Sequence, residues 1–216
     1  MRSLSWKNSS RSRSWQRWSP ARSWISAPAR GRYALRLAAQ GATVTALDQS
    51  PAMLAVAERA AAQAGLVIDF RRQRLDQPLP SDPDSVDLVI AALVLCHLPQ
   101  LDLVFADAYR VLRPGGHLLI TDFHPAAIAH GWRTQFTRSN TTYLLPTAQH
   151  TREDYLTALR QAGFLVQTIS EGLVRDAPVH AFPPEVIARD GDLPFCFVLQ
   201  ARKPIPDHPA RTDRGT

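Results

Sequence analysis

From Arg32 onward the apolar positions switch repeatedly between a helical period and short continuous runs. In "RYALRLAAQ", Leu35, Ala38 and Ala39 share a helical face with Tyr33 and Leu37 beside it, and Gly41 stands where a C-terminal cap is needed. "ATVTAL" is β-branched and reads as a buried strand. Ser50-Pro51 has the form of a helix start, a capping serine before a proline, and "AMLAVAERAAAQ" carries that helix to Gly65. "LVIDF" is a further strand, and "VDLVIAA" is apolar on both faces, as a central parallel strand is. "LDLVFADAYRVL" places Leu101, Phe105, Ala108 and Leu112 at helical spacing before Pro114-Gly115-Gly116 stops it, and "HLLITDF" is extended. Residues 124–150 are irregular and polar-aromatic. Thr151 caps "REDYLTALRQA" with Asp154 three residues on as its capping-box partner, and Gly163 closes the helix. "LVQTISEGL" and "FCFVLQA" are the last strands, separated by a proline-rich insert over 176–194, and the tail is expected to fray from Lys203. Strand–helix alternation of this kind predicts an α/β fold, a doubly wound, mostly parallel sheet with an antiparallel last strand. In such sheets ligands bind beyond the carboxyl ends of the strands, at the switch point.

Composition sharpens this picture at one place. The chain has 216 residues, 45% of them hydrophobic, enough for one sizeable domain. No apolar run has the length of a membrane span. Cys96 and Cys196 stand apart in apolar surroundings and read as buried free thiols of a reducing compartment, which leads us to expect a cytoplasmic protein; no Cys/His cluster has metal-ligand spacing. The formal charge is +6, yet residues 1–30 hold seven basic residues and no acid, leaving 18 basic against 19 acidic in the rest. Four of the five tryptophans (Trp6, Trp15, Trp18, Trp24) and nine serines lie there too. The break sets expected boundaries: an aberrant, disordered or poorly formed segment over 1–30, a domain over 31–203, and a flexible tail over 204–216. The first segment reads in three ways: an organellar leader, a basic arm for nucleic acid, or a stretch translated out of frame. The near-neutral charge of the remainder makes nucleic acid an unfavoured partner.

Three stretches then bear a resemblance. "GRYALRLAAQGATVTALDQSPAMLAVAERAA", "VDLVIAALVLCHLPQL" and "AYRVLRPGGHLLITDF" resemble the class I S-adenosylmethionine-dependent methyltransferases, in particular the small-molecule group that includes the ubiquinone and menaquinone C-methyltransferases. The match runs from about Gly31 to Phe123, with a looser fit to Ala201. It implies S-adenosyl-L-methionine as cofactor and a small-molecule methyl acceptor as partner. Asp48, closing the second strand, is the implied acceptor for the ribose hydroxyls, with Gln49 at the helix mouth and Met53 against the adenine face or simply in the core. Leu75 and Asp76 stand where the family holds the adenine edge, although an acid is expected at Arg74 or one step away. Ala91 and Ala92 close the fourth strand, where backbone groups meet the methionine end. His97, in "VLCHLP", reads as a packing residue near the pocket or a base; His124 reads as exposed or a base. The catalytic residue is left open. Trp132, Phe136 and Tyr143 with the 176–194 insert form the expected substrate lid.

The resemblance breaks at the glycine loop. The family's first strand runs into a turn such as "VLDLGCGTG", where bare backbone approaches the cofactor. Here the seat reads "WISAPARG": only Gly31 survives, and Pro28 removes a backbone donor. The genetic code suggests a reason. Trp is TGG and Ile begins AT, so the frame starting on the last base of the Trp24 codon reads GAT, aspartate. The next shifted codon ends in TC and encodes Phe, Leu or Ile. With suitable third bases the rest becomes Gly-Ala-Gly-Thr-Gly, the missing motif. The leading functional expectation is therefore methyl transfer to a small molecule, impaired in this chain by the altered loop. Its rivals are a non-catalytic relative acting through partner binding, a nicotinamide oxidoreductase, and nucleic-acid modification guided by the basic arm.

Overall fold

The computed structural model describes residues 22–26, 31–178 and 180–206, with backbone alone for 22–26, Phe136 and Arg138. The expectations for 1–21, 27–30 and the end of the tail lie outside the described residues. Seven strands form one sheet in the order β3-β2-β1-β4-β5-β9-β8, where β1 is Arg22–Ser26, β2 Thr43–Asp48, β3 Asp69–Arg72, β4 Val86–Ala92, β5 Leu112–Phe123, β8 Leu165–Leu173 and β9 Pro194–Arg202. The first five pair in parallel, and β9 runs antiparallel to both β5 and β8. The doubly wound sheet with its reversed last strand is the fold the alternation predicts.

Both faces of the sheet are covered, which is why β4 is apolar throughout. Leu88, Ile90 and Ala92 join Val44 and Ala46 beneath α1 (Arg32–Ala38), which contributes Ala34 and Leu37. The alternate residues Val89 and Ala91 join Leu47, Leu118 and Ile120 under α3 (Leu101–Val111) and α5 (Arg152–Gln161), where Phe105, Tyr155 and Leu159 are fully or almost fully buried. Helix α2 (Pro51–Gln63) begins as its sequence dictates, with the Ser50 side chain accepting from the Met53 amide. The Thr151–Asp154 capping box is present in both directions.

Four differences from the sequence reading have physical causes. Residues 22–26, expected to be poorly formed, pair on both sides: Ser26 sits opposite Leu47 of β2 and Ala91 of β4. Extended backbone supplies the ladder hydrogen bonds whatever its side chains. β3 starts at Asp69 and not Leu66, because its register with β2 begins at Thr45, leaving Val67 93% exposed. The 124–150 stretch is partly regular, holding α4 (Pro125–Ala129) and a hairpin of β6 (Gln135–Arg138) and β7 (Thr141–Leu144), and the 176–194 insert holds α6 (Pro184–Asp190). Lys203 is anchored where fraying was expected: its amide donates to Gly116, its carbonyl accepts from Gly115, and its ammonium reaches Asp84 and the Tyr109 carbonyl.

Candidate active site

The parallel strands β1, β2 and β4 end together at one edge of the sheet, and the chain leaves β2 and β4 into loops that carry polar groups. Asp48 is the last residue of β2. Its Oδ1 accepts the Ser50 amide at 2.9 Å, the one hydrogen bond reaching this carboxylate from the described residues. Burial pushes its pKa above the ordinary carboxylate value, and the Ser50 amide opposes that shift. A partly desolvated carboxylate whose other oxygen takes no hydrogen bond from the described residues can accept from hydroxyl donors. Gln49 beside it is exposed, and Met53 is half-buried in the first turn of α2. Gly31 caps the start of α1 with φ +78°, a left-handed conformation that the missing Cβ permits.

Adjoining this edge, on the α3 face, is a cavity of about 170 Å³. It is lined by Leu47, Leu75, Asp76, Ala91, Phe105 and Leu118 among others, so three of the predicted residues meet there. Its roof is the loop from β3 to β4. That loop is clamped from α3: Asp107 accepts the Leu79 amide, and Arg110 donates to Ser81 O at 2.7 Å and Leu79 O at 2.9 Å. Leu75 is half-buried against the cavity. The Asp76 carboxylate is engaged by Arg74, whose Nε lies 2.9 Å from Oδ1, and the Arg74 hydrogen bond holds its pKa below the ordinary value. Asp76 thus reaches a ligand only by sharing its oxygens with that guanidinium.

Past β4 the backbone turns sharply. Leu93 has φ +53°, uncommon for a branched residue, and its amide donates to Thr121 O at 2.7 Å. A 3-10 turn over Leu95–His97 follows. His97 Nδ1 lies 2.6 Å from the Pro146 carbonyl. A carbonyl only accepts, so Nδ1 is the donor, and in the neutral ring Nε2 is the nitrogen with the lone pair. His124 is different. It is 8% exposed, which corrects the expectation of an exposed side chain. It caps α4, Nδ1 accepting from the Ala126 amide at 3.0 Å, and packs edge-on against Phe197. Its Nε2 faces Glu171 at 3.4 Å. With Nδ1 used as acceptor, neutral His124 has its proton on Nε2 and no free lone pair, so it is poorly disposed as a base.

The two inserts meet at the same edge. Trp132 packs on Phe182 at 5.3 Å between ring centroids, Phe182 on Phe195 at 5.0 Å, and His130 Nε2 lies 3.3 Å from Asp190. Tyr143 is exposed on the hairpin, and the Phe136 side chain lies outside the described residues. The sequence reading missed the Asp107–Arg110 clamp, the strained Leu93 and the buried acid Asp122. Asp122 had a visible signal: it shares the inward parity of Leu118 and Ile120 in "HLLITDF".

Comparison with known proteins agrees with this geometry. A methyltransferase domain family model matches residues 26–120. Ubiquinone biosynthesis O-methyltransferase of Xylella fastidiosa (strain 9a5c) is 27% identical over 140 residues, 62% of this chain and 56% of that protein. The chain therefore spans little more than half the length of that relative. An S-adenosylmethionine dependent methyltransferase structure from Mesorhizobium loti superimposes with TM-score 0.69 at 24% identity, over 86% of this chain and 92% of the other. The cyclase SpnF superimposes with TM-score 0.64 at 22% identity, over 87% and 76%. A methyltransferase domain model thus matches this chain from the end of β1 into β5, and over most of its length the chain has the fold of solved S-adenosylmethionine-dependent methyltransferases.

Proposed function

We propose that this protein binds S-adenosyl-L-methionine and that its domain serves methyl transfer to a hydroxyl group of a planar, apolar small molecule. The observation that carries this reading is Asp48, a half-buried carboxylate with one oxygen taking no hydrogen bond from the described residues, at the strand edge beside the cavity lined by Leu75, Asp76 and Ala91. These residues suit a ribose and an adenine edge, and Gly31 admits close approach at the head of α1. When bound, the cofactor supplies an electrophilic sulfonium methyl. The protein's own part is to hold both reactants in line and exclude water. His97 Nε2 takes the hydroxyl proton, its partner nitrogen being fixed by Pro146 O. The aromatic group of Trp132, Phe182 and Phe195 favours a flat acceptor. The Xylella relative's name, an O-methyltransferase of ubiquinone biosynthesis, supports the oxygen as acceptor atom.

The altered loop is part of the proposal. Ala27, Pro28 and Ala29 stand where bare backbone belongs, so cofactor affinity in this chain is reduced. That residues 1–30 are read out of frame is supported from a second side. Position 26 pairs with Leu47 and Ala91, both lining the cavity, and the alternative frame places Phe, Leu or Ile there. The same three loop residues favour a second reading, a non-catalytic fold that acts through partner binding. Isothermal titration with S-adenosylhomocysteine separates them. A chain carrying Ala27→Gly, Pro28→Ala and Ala29→Gly is expected to bind more tightly than the present one, and Asp48→Ala in that background to weaken binding by about 10- to 100-fold. No heat from the rebuilt chain would overturn the proposed function and leave the second reading.

A further inference from the structure

Asp122 is nearly inaccessible, 1% exposed, on the core side of β5. Leucine or isoleucine fills the equivalent positions 118 and 120, and a carboxylate in their place has to be compensated by hydrogen bonds. Those bonds show where it acts. Oδ2 accepts the Cys96 amide at 2.9 Å, and Oδ1 accepts the amide of its own neighbour Phe123 at 2.8 Å. Cys96 is the middle of the 3-10 turn that ends in His97. Its carbonyl is taken from the other side by the Ala148 amide at 2.8 Å, and His150 Nε2 lies 2.6 Å from Leu98 O. The turn is thus pinned to β5 by one buried acid and to the 146–150 loop by the bonds that fix the imidazole.

We propose that Asp122 is a positioning residue, whose carboxylate holds the Leu95–His97 turn in register with the 146–150 loop so that His97 keeps its proton on Nδ1 and presents Nε2. This rests on the reading of His97 as the acceptor-side base. Asp122 itself touches no reactant. Without it the Cys96 amide is left buried and unpaired, the turn relaxes to recover that bond, and the contact from Nδ1 to Pro146 O is lost.

The test reads the imidazole directly by nitrogen-15 NMR of histidine-labelled full-length protein, the His97 signals being assigned by their loss in His97→Gln. Wild type is expected to show one Nδ1–H tautomer. Asp122→Asn, which keeps an oxygen for Cys96 and gives up the local bond to Phe123, is expected to retain it. Asp122→Ala is expected to show the averaged ring signals of a freely exchanging imidazole while still melting cooperatively. A folded Asp122→Ala that keeps the single tautomer overturns the proposal, and so does averaging in wild type. If Asp122→Ala does not fold, hydrogen exchange at the Cys96 amide decides. Exchange about 10-fold faster in Asp122→Leu, which fills the site as Leu118 does but offers no acceptor, than in wild type supports the role, and equal rates overturn it. These readouts need neither cofactor nor acceptor, so their failure leaves the proposed transfer standing, and a failure of transfer leaves them interpretable.

Discussion

The place of Asp48 at the end of a strand was legible in the sequence because three local signals converge on it: a β-branched run before it, a Ser-Pro helix start after it, and an acid at the joint. A role toward a ribose was suggested only by the resemblance that runs from Gly31 to Phe123. Histidine roles were not legible, because a ring's tautomer is set by whichever group lies against it. Pro146 is 49 residues from His97 in sequence and 2.6 Å from it in space. Replacing His97 with glutamine is expected to lower turnover of a hydroxyl acceptor by about 10²- to 10⁴-fold, with the dissociation constant of S-adenosylhomocysteine unchanged. Steady-state rates beside a titration check this; equal loss in both would make His97 a packing residue. Gly31→Ala places a side chain at φ +78° and is expected to lower stability by about 1 kcal/mol or more, measured by urea denaturation.

Elements with their own start and stop signals were read correctly, and those that owe their form to a partner were not. Helix α5 belongs to the first kind. Thr151→Ala is expected to lower stability by about 1 kcal/mol, read from the denaturation midpoint. The Thr151 amide and hydroxyl hold the Asp154 pKa below its ordinary value, so the contribution of Asp154 is present above about pH 4 and fades as pH falls through the lowered value. Strand β1 belongs to the second kind. Its side-chain pattern is weak, but β2 and β4 leave a gap one strand wide and their ladders fill it. The hairpin β6–β7 turns through Ser139 and Asn140, both at positive φ. The inserts were recognisable as irregular stretches rich in aromatic residues and proline, but their mutual contact through Trp132 and Phe182 spans 50 residues and has no local signature.

Across the whole molecule, the sheet order brings together what the chain keeps apart. Crossovers place β1 between β2 and β4, so Asp48 and Ala91 end at one edge, with the clamped loop above them. The same packing buries Asp122, whose pKa burial raises. A carboxyl with a raised folded pKa stabilises the fold fully below its unfolded value near pH 4, and that contribution is lost as pH rises through the folded value. Asp122→Asn is therefore expected to flatten the decline in stability over that rise, measured by denaturant titrations at a series of pH values. An unchanged slope would mean that Asp122 ionises as freely folded as unfolded. Among the described residues, no helix is long and apolar enough to cross a membrane. The sequence by itself determined the alternation of strands and helices, the caps and the acid at the second strand's end, because each depends on neighbours within a few turns. Only the tertiary structure decided that His97 donates through Nδ1, that Asp76 is held by Arg74 and that an inward acid grips a turn, because burial and hydrogen bonds across the sheet assign those roles.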